Sequence, residues 1–276
     1  MNIITVSRLV GSYGDEIAAR VAEKMGLEFI GRTGLHELAM SCDPEYSEAC
    51  SIYETEHGPS FFERLFFDKP SHRSLFEALT YEQASRGNVV MVGRGAQIVL
   101  HDIPGVFCVG VIAARKTRVQ RIADKLAISP DEADYYVEKY DRERITLIRT
   151  VFDEDPTDLF LYNLLINTDH YSAENAADVV VHAVTKMDKV PNGKDIVEQL
   201  KAMALAKRVE ALVRKKLTSA VARSVDISLE PDGVLRITGV IRERADKEKA
   251  GRIASNYPGV SRVENELKVT DLSFGV

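Results

Sequence analysis

Two sets of residues in this 276-residue chain have the types and spacing to do chemistry. One is the loop Gly11-Ser12-Tyr13-Gly14-Asp15-Glu16, with Ser7 and Arg8 just ahead of it. The other is a series of arginines: Arg8, Arg32, Arg94, Arg118, Arg121 and Arg144. Glycines let a backbone curl so that N–H groups and a helix N-terminus converge on an anion. Arginine is always charged, and its planar fork gives phosphate two parallel charge-assisted hydrogen bonds. Together they point to binding or transfer of a phosphoryl group. For Arg118 and Arg121 alone, an exposed face paired with Asp and Glu explains the pattern equally well. Arg94, placed after an apolar run, tips the reading to phosphate.

The usual nucleotide loop, GxxxxGK[ST], uses its lysine to bridge β and γ oxygens and its hydroxyl to hold Mg²⁺. Here Gly14 stands at the lysine position and Asp15 and Glu16 at the hydroxyl positions. The two acids admit two readings. As first-turn residues they complement the helix dipole, worth roughly 0.3–1 kcal/mol each; beside a triphosphate they repel it unless Mg²⁺ intervenes. The dipole reading is preferred. Cys42, Cys50 and Cys108 form no CxxC pair, and the six histidines form no HExxH or HxxxH, so neither a disulfide framework nor a zinc site is expected.

The elements that must position these residues follow from periodicity. Ile3 to Val6 reads as a buried strand, and Ile17, Ala18, Val21, Ala22 and Met25 as one face of the helix after the loop. A short strand ends at Arg32. Residues 33–72 are less regular, and Phe61, Phe62, Phe66 and Phe67 suit a helix face packed on the core. A helix over 73–86 leads to the apolar run Val89 to Val92, then a helix Ala96–His101 and a second run, Val106 to Ala113. Arg115–Leu126 is helical. Ser129, Pro130 and Glu132 open a further helix through a capping box. Leu161 to Ile166 reads as a last buried strand and Ala173 to Met187 as a last helix. This alternation specifies an α/β domain with a parallel sheet, and it places Arg8, Arg32 and Arg94 at carboxyl ends of strands, where such sheets bind ligands.

Lys189 to Lys194 has linker composition. Beyond it, a helix over Ile196–Leu217, a hairpin of Val225–Leu229 and Val234–Val240, a helix Ala245–Asn256 and a strand Val263–Val269 make a compact αββαβ unit. Residues 205–276 carry a net charge of +4 and residues 1–204 a net −10, as expected of two units with different partners. No apolar run approaches the roughly 18 residues of a membrane span. The N-terminus has no secretory pattern, so a cytoplasmic protein is expected. The basic unit lacks interleaved aromatics and the rest is acidic, so no nucleic-acid partner is expected.

Five pieces occur in order: Ser7-Arg8 with Gly11-Ser12-x-Gly14, Val92-Gly93-Arg94-Gly95-Ala96, Arg118-x-x-Arg121, Asp141-x-x-Arg144 and Asn167-Thr168-Asp169. On them, residues 1 to about 185 resemble the cytidylate-kinase-like proteins, a divergent branch of the P-loop nucleoside monophosphate kinases. The branch has S-R-x-x-G-S-x-G in place of a lysine-bearing loop. The resemblance implies a P-loop kinase-like five-stranded parallel sheet with flanking helices and a mobile arginine lid. It implies transfer of the γ-phosphoryl of ATP to CMP or a similar small acceptor, with Mg²⁺. By position, Ser7, Arg8, Gly11, Ser12, Tyr13, Gly14, Asp15 and Glu16 are the expected nucleotide contacts, and Arg32 and Arg94 the acceptor contacts. Arg8, Arg118, Arg121, Arg144 and Asp141 form the expected catalytic set, the lid arginines neutralising the transferred group. Such arginines are worth ~10³–10⁵ in rate in related reactions. Gly95 stands where cytidylate kinases have Asp, and Tyr13 replaces a loop glycine.

A second resemblance rests on Asp232-Gly233-Val234-Leu235, Ile237, Gly239, Ile253-Ala254, Pro258-Gly259-Val260, Val263, Asn265 and Leu267. These residues are similar to the BON domain, a small α+β module. It implies contact with phospholipid, a hydrophobic ligand or a protein; a regulatory or dimerising appendage is an equal reading, which leaves homo-oligomerisation open. The expected domains are 1–188 and 204–272, with 189–203 as linker and helix start. Two functions compete: a nucleotide kinase, and a catalytically weak or inactive nucleotide sensor that signals through the BON domain to a partner or membrane.

Overall fold

The computed structural model describes residues 1–31, 34–42, 70–188, 193–217, 224–230 and 232–270. In chain order the first five strands are β1 (Ile3–Arg8), β2 (Glu28–Ile30), β3 (Val89–Val92), β4 (Val106–Ile112) and β5 (Leu164–Asn167). They form one sheet in the order β2-β3-β1-β4-β5, and every pairing is parallel. The expected five-stranded parallel sheet is therefore present. β1, β3 and β4 are buried nearly throughout because helices cover both faces, which is why they read as unbroken apolar runs.

The helices in the same region are α1 (Gly14–Met25), α2 (Gly34–Cys42), α3 (Pro70–Ser85), α4 (Ala96–Val99), α5 (Arg115–Leu126), α6 (Pro130–Leu147) and α7 (Ala173–Lys186). Successive strand residues point to opposite faces, so Ile4, Val6, Val90 and Val109 pack against Ile17 and Val21 of α1 and Val180 of α7. Ile3, Met91 and Cys108 pack on the other face against Leu75 and Leu79 of α3. That second core also takes Ile196, Leu200 and Ala204 from α8 (Gly193–Lys216). Residues 193–203 are thus helical, with Ile196 and Leu200 buried against the sheet's helical cover.

The far half of α8 supplies Val209, Val213 and Leu217 to a separate core with Ile227, Leu235 and Ile237. There β6 (Asp226–Leu229) pairs antiparallel with β7 (Val234–Thr238), which pairs parallel with β9 (Arg262–Asn265) across the helix α9 (Arg244–Ser255). The strands expected over 234–240 and 263–269 are each interrupted. Val240–Ile241 (β8) and Lys268–Val269 (β10) form a two-stranded sheet of their own. Gly239 makes the break: at φ +128°, a Cβ there would stand 1.8 Å from the Ser224 carbonyl oxygen.

β5 departs from expectation too. It is shorter than the run 161–166 and lies at the sheet edge, with Leu165 40% exposed. An apolar run alone does not say which flank of a sheet is open. Arg32, Phe61, Phe62, Phe66, Phe67 and residues 189–192 lie outside the described residues. Among the described residues no helix is long and apolar enough to cross a membrane.

Candidate functional site

β1 ends at Arg8, and the chain reaches α1 through Tyr13, which sits in the left-handed region at φ 68°. The first helical hydrogen bond runs from the Ile17 amide to the Tyr13 carbonyl. The amides of Gly14, Asp15 and Glu16 therefore have no intrahelical acceptor and lie at the positive end of the dipole. Ser12 is fully buried, and its hydroxyl is within hydrogen-bond distance of the carbonyls of Leu9 (2.7 Å) and Val111 (3.1 Å). It holds the loop to the sheet. Thr168, also fully buried, donates from Oγ1 to the Ser12 carbonyl at 3.0 Å. Asp169 accepts from the Ala114 amide at 2.9 Å. The Asn167-Thr168-Asp169 segment is thus a lock behind the loop.

Arg8 explains Gly14. A Cβ at Gly14 would lie 2.3 Å from Cβ and 2.5 Å from Cγ of Arg8, so the arginine stem fills the space beside the position where a Walker lysine would start. The guanidinium then reaches Gly93 and forks onto Asp15, with Nη2–Oδ1 at 2.9 Å and Nε–Oδ2 at 3.3 Å. Glu16 pairs with Lys125 at 2.8 Å. Both acids keep their first-turn position, and each also has a cation partner.

Arg118 is only 5% exposed. Its fork grips Asp141 at 3.0 and 2.8 Å, and its remaining contacts go to the carbonyls of Ala113 (3.1 Å) and Val10 (3.3 Å). Arg118, expected to neutralise a transferred group, directs these donors to Asp141 and to carbonyls behind the loop. Arg121 donates to Thr168 at Oγ1 (2.9 Å) and at its carbonyl (2.7 Å), and its guanidinium lies 3.8 Å from the centroid of the Tyr13 ring. Tyr13 therefore covers an arginine. Arg144 is pinned by Ser7 Oγ at 3.0 Å and the Tyr162 hydroxyl at 3.1 Å. Gly93, Arg94 and Gly95 are three successive left-handed residues, at φ 72°, 58° and 76°. A Cβ at Gly95 would meet the Phe152 ring at 2.3 Å, which accounts for glycine where an aspartate was the expected type.

These elements enclose a cavity of about 620 Å³, in the range of small-molecule sites. Ser7, Arg8, Gly11, Tyr13, Gly14, Asp15, Glu16, Arg94, Arg121, Asp141 and Arg144 all line it. Ser12 and Arg118 stand behind its wall. Sequence reasoning missed Lys125, Glu143 and the wall formed by Tyr136 and Tyr140, whose rings stack at 4.3 Å between centroids. Their four-residue spacing on one helix face was a usable signal. Among the described residues, no three His, Cys, Asp or Glu side chains converge as a metal centre.

The profile of the cytidylate kinase-like family matches residues 3–170, and that of the BON domain residues 205–271. The cytidylate kinase of Methanopyrus kandleri is 25% identical over 190 residues, covering 66% of this chain and 92% of its own length. That of Pyrococcus horikoshii is 26% identical over 193 residues, covering 68% and 91%. The crystal structure of an uncharacterized protein from Eubacterium ventriosum superposes with a TM-score of 0.53 at 17% identity, over 68% of this chain and 100% of that one, a likeness of fold.

Proposed function

The chain belongs to the cytidylate kinase-like family, and on that premise we propose that it transfers the γ-phosphoryl of ATP to CMP or a similar nucleoside monophosphate. The observation that carries this is the convergence, in one 620 Å³ cleft, of the bare α1 amides with Arg8, Arg94, Arg121 and Arg144. Arg8 takes over the charge of the absent lysine, because its stem occupies the space beside Gly14. Arg144, anchored by Ser7 and Tyr162, is placed to neutralise the phosphoryl group in transit. Arg94 and Arg32 take the acceptor phosphate. Arg118 and Asp141 act as positioning residues for the loop.

Magnesium suits the cleft. It needs only one or two carboxylates besides phosphate oxygens and water, and Asp15 and Glu16 stand where the Walker hydroxyl would be. Asp15 or Glu16 would hold the ion only by giving up its cation partner, Arg8 or Lys125, and the ion would supply charge neutralisation to the phosphate oxygens.

Release of ADP from ATP in the presence of Mg²⁺ and each of CMP, dCMP, UMP and AMP tests the proposal. Turnover with at least one acceptor is expected, falling by ~10³ or more in Arg144→Ala. Turnover no higher than in that variant would count against it. A second reading, a nucleotide sensor signalling through the BON unit, is favoured by α8, which contributes side chains to both cores. Tight nucleotide binding without turnover would select it.

A further inference from the structure

The proposed phosphate chemistry uses one end of the cleft and leaves an apolar wall without a task. That wall is built from Tyr136 and Tyr140 of α6 with Ile122 and Leu126 of α5. The two tyrosines are half-buried, their rings stacked at 4.3 Å and 28°. Tyr136, Tyr140 and Arg144 follow one another at four-residue intervals, so they share one face of α6. At 1.5 Å per residue, Tyr140 lies ~6 Å and Tyr136 ~12 Å along the axis from Arg144. Arg144 is fixed at the phosphate end by Ser7, beside the glycine loop. The same helix face therefore presents an anion-binding group and, one turn further out, an aromatic surface open to the same cavity.

We propose that the Tyr136–Tyr140 pair is the platform on which the nucleobase of the bound nucleotide stacks. The inference rests on the phosphate reading of the cleft and adds a base site to it. Two features support it beyond position. Aromatic stacking is worth about 5- to 150-fold in affinity per base and tolerates any base, since every base has a π-face. The wall is also anchored: Tyr136 packs with Ile122, Ala123, Ala133 and Val137 in a small core of its own, so the platform is held in place before a ligand arrives.

The test compares nucleotides with their base-free counterparts by calorimetric titration of the full chain. CMP is set against ribose 5-phosphate, and ATP against tripolyphosphate. The chain has no tryptophan, so quenching of tyrosine emission gives an independent readout. In the wild type at least one nucleotide should bind about 5- to 150-fold more tightly than its base-free partner. In Tyr136→Leu/Tyr140→Leu that preference should vanish while the base-free ligand binds unchanged, which also shows the variant is folded. Tyr136→Phe/Tyr140→Phe keeps the rings and should keep the preference, whatever the leucine variant does. Equal binding of nucleotide and base-free ligand by the wild type would overturn the base platform and leave the phosphate site standing. So would a preference that survives the leucine pair or is lost in the phenylalanine pair. Binding of neither ligand class would remove the phosphate reading and the platform together.

Discussion

At the scale of single residues, the loop works through exchanges that change which residue carries the charge. Gly14→Ala tests this directly. Alanine in a helix is ordinarily worth up to about 1 kcal/mol over glycine. Here the added Cβ would sit 2.3 Å from the Arg8 stem, and overpacking of that kind costs about 1–3 kcal/mol. The clash should win: chemical denaturation is expected to show a less stable protein, and ATP affinity should fall because Arg8 must leave. A Gly14→Ala protein with unchanged affinity would show that Arg8 does not stand in for the lysine. Arg118 and Arg144 should separate in the same assays. Arg118→Ala leaves Asp141 without its fork and is expected to cost about 3–5 kcal/mol of stability. Arg144→Ala removes a residue held by two hydroxyls, so activity should fall far more than stability. The arginines and glycines were legible because their types are diagnostic for phosphate. Their division into loop brace and cleft lining was not, because it depends on pairings such as Arg118 with Asp141 across two helices.

At the scale of elements, α3 and α8 pack along their lengths and bury a titratable seam. Tyr81 of α3 is 7% exposed, and burial, followed by the charge of Glu77, pushes its hydroxyl up to about 12. Its folded pKa is raised, so its contribution is fully present below the unfolded value near 10 and is lost as pH rises toward 12. At about 1.4 kcal/mol per unit, that is about 2–3 kcal/mol. Lys207 on α8 is raised as well, by Glu77 and Glu210 against the opposing effect of burial, and it acts with the same sign. Tyr81→Phe should therefore flatten, without abolishing, the fall in urea-unfolding stability between pH 10 and 12. An unaltered slope would mean that Tyr81 is not shielded as the packing shows. Helix positions were largely legible: Ser129 and Glu132 form the expected capping box, with both reciprocal hydrogen bonds present. Strand ends were less so. An apolar run shows burial, but the break at Gly239 comes from a contact with Ser224, fifteen residues earlier in sequence and invisible to periodicity.

At the scale of the molecule, the question is whether the two units are tethered or fused, and α8 argues for fusion. Its first half buries Ile196 and Leu200 under the kinase-like sheet, and its second half buries Val209 and Val213 in the BON core. Within the second half Glu210, fully buried, joins three elements: it accepts from Ser74 of α3 at 2.8 Å, from Lys207 of α8 at 3.1 Å and from the Ile227 amide of β6 at 3.1 Å. Burial raises its pKa, the cost of a carboxylate withdrawn from water, so the site depends on all of these donors staying in place. Unfolding either unit would strip Glu210 of donors and bare half of α8, so neither should unfold alone. Leu200→Ala in the first core and Ile237→Ala in the second should each cost about 2–5 kcal/mol. In scanning calorimetry both should lower the same single transition, with calorimetric and van't Hoff enthalpies in agreement. Two resolved transitions, with Leu200→Ala moving one and Ile237→Ala the other, would falsify the fused description. A single transition shifted by both would mean that an event at either unit is felt through α8 by the other, the mechanical condition that regulation of the nucleotide cleft by the BON unit requires.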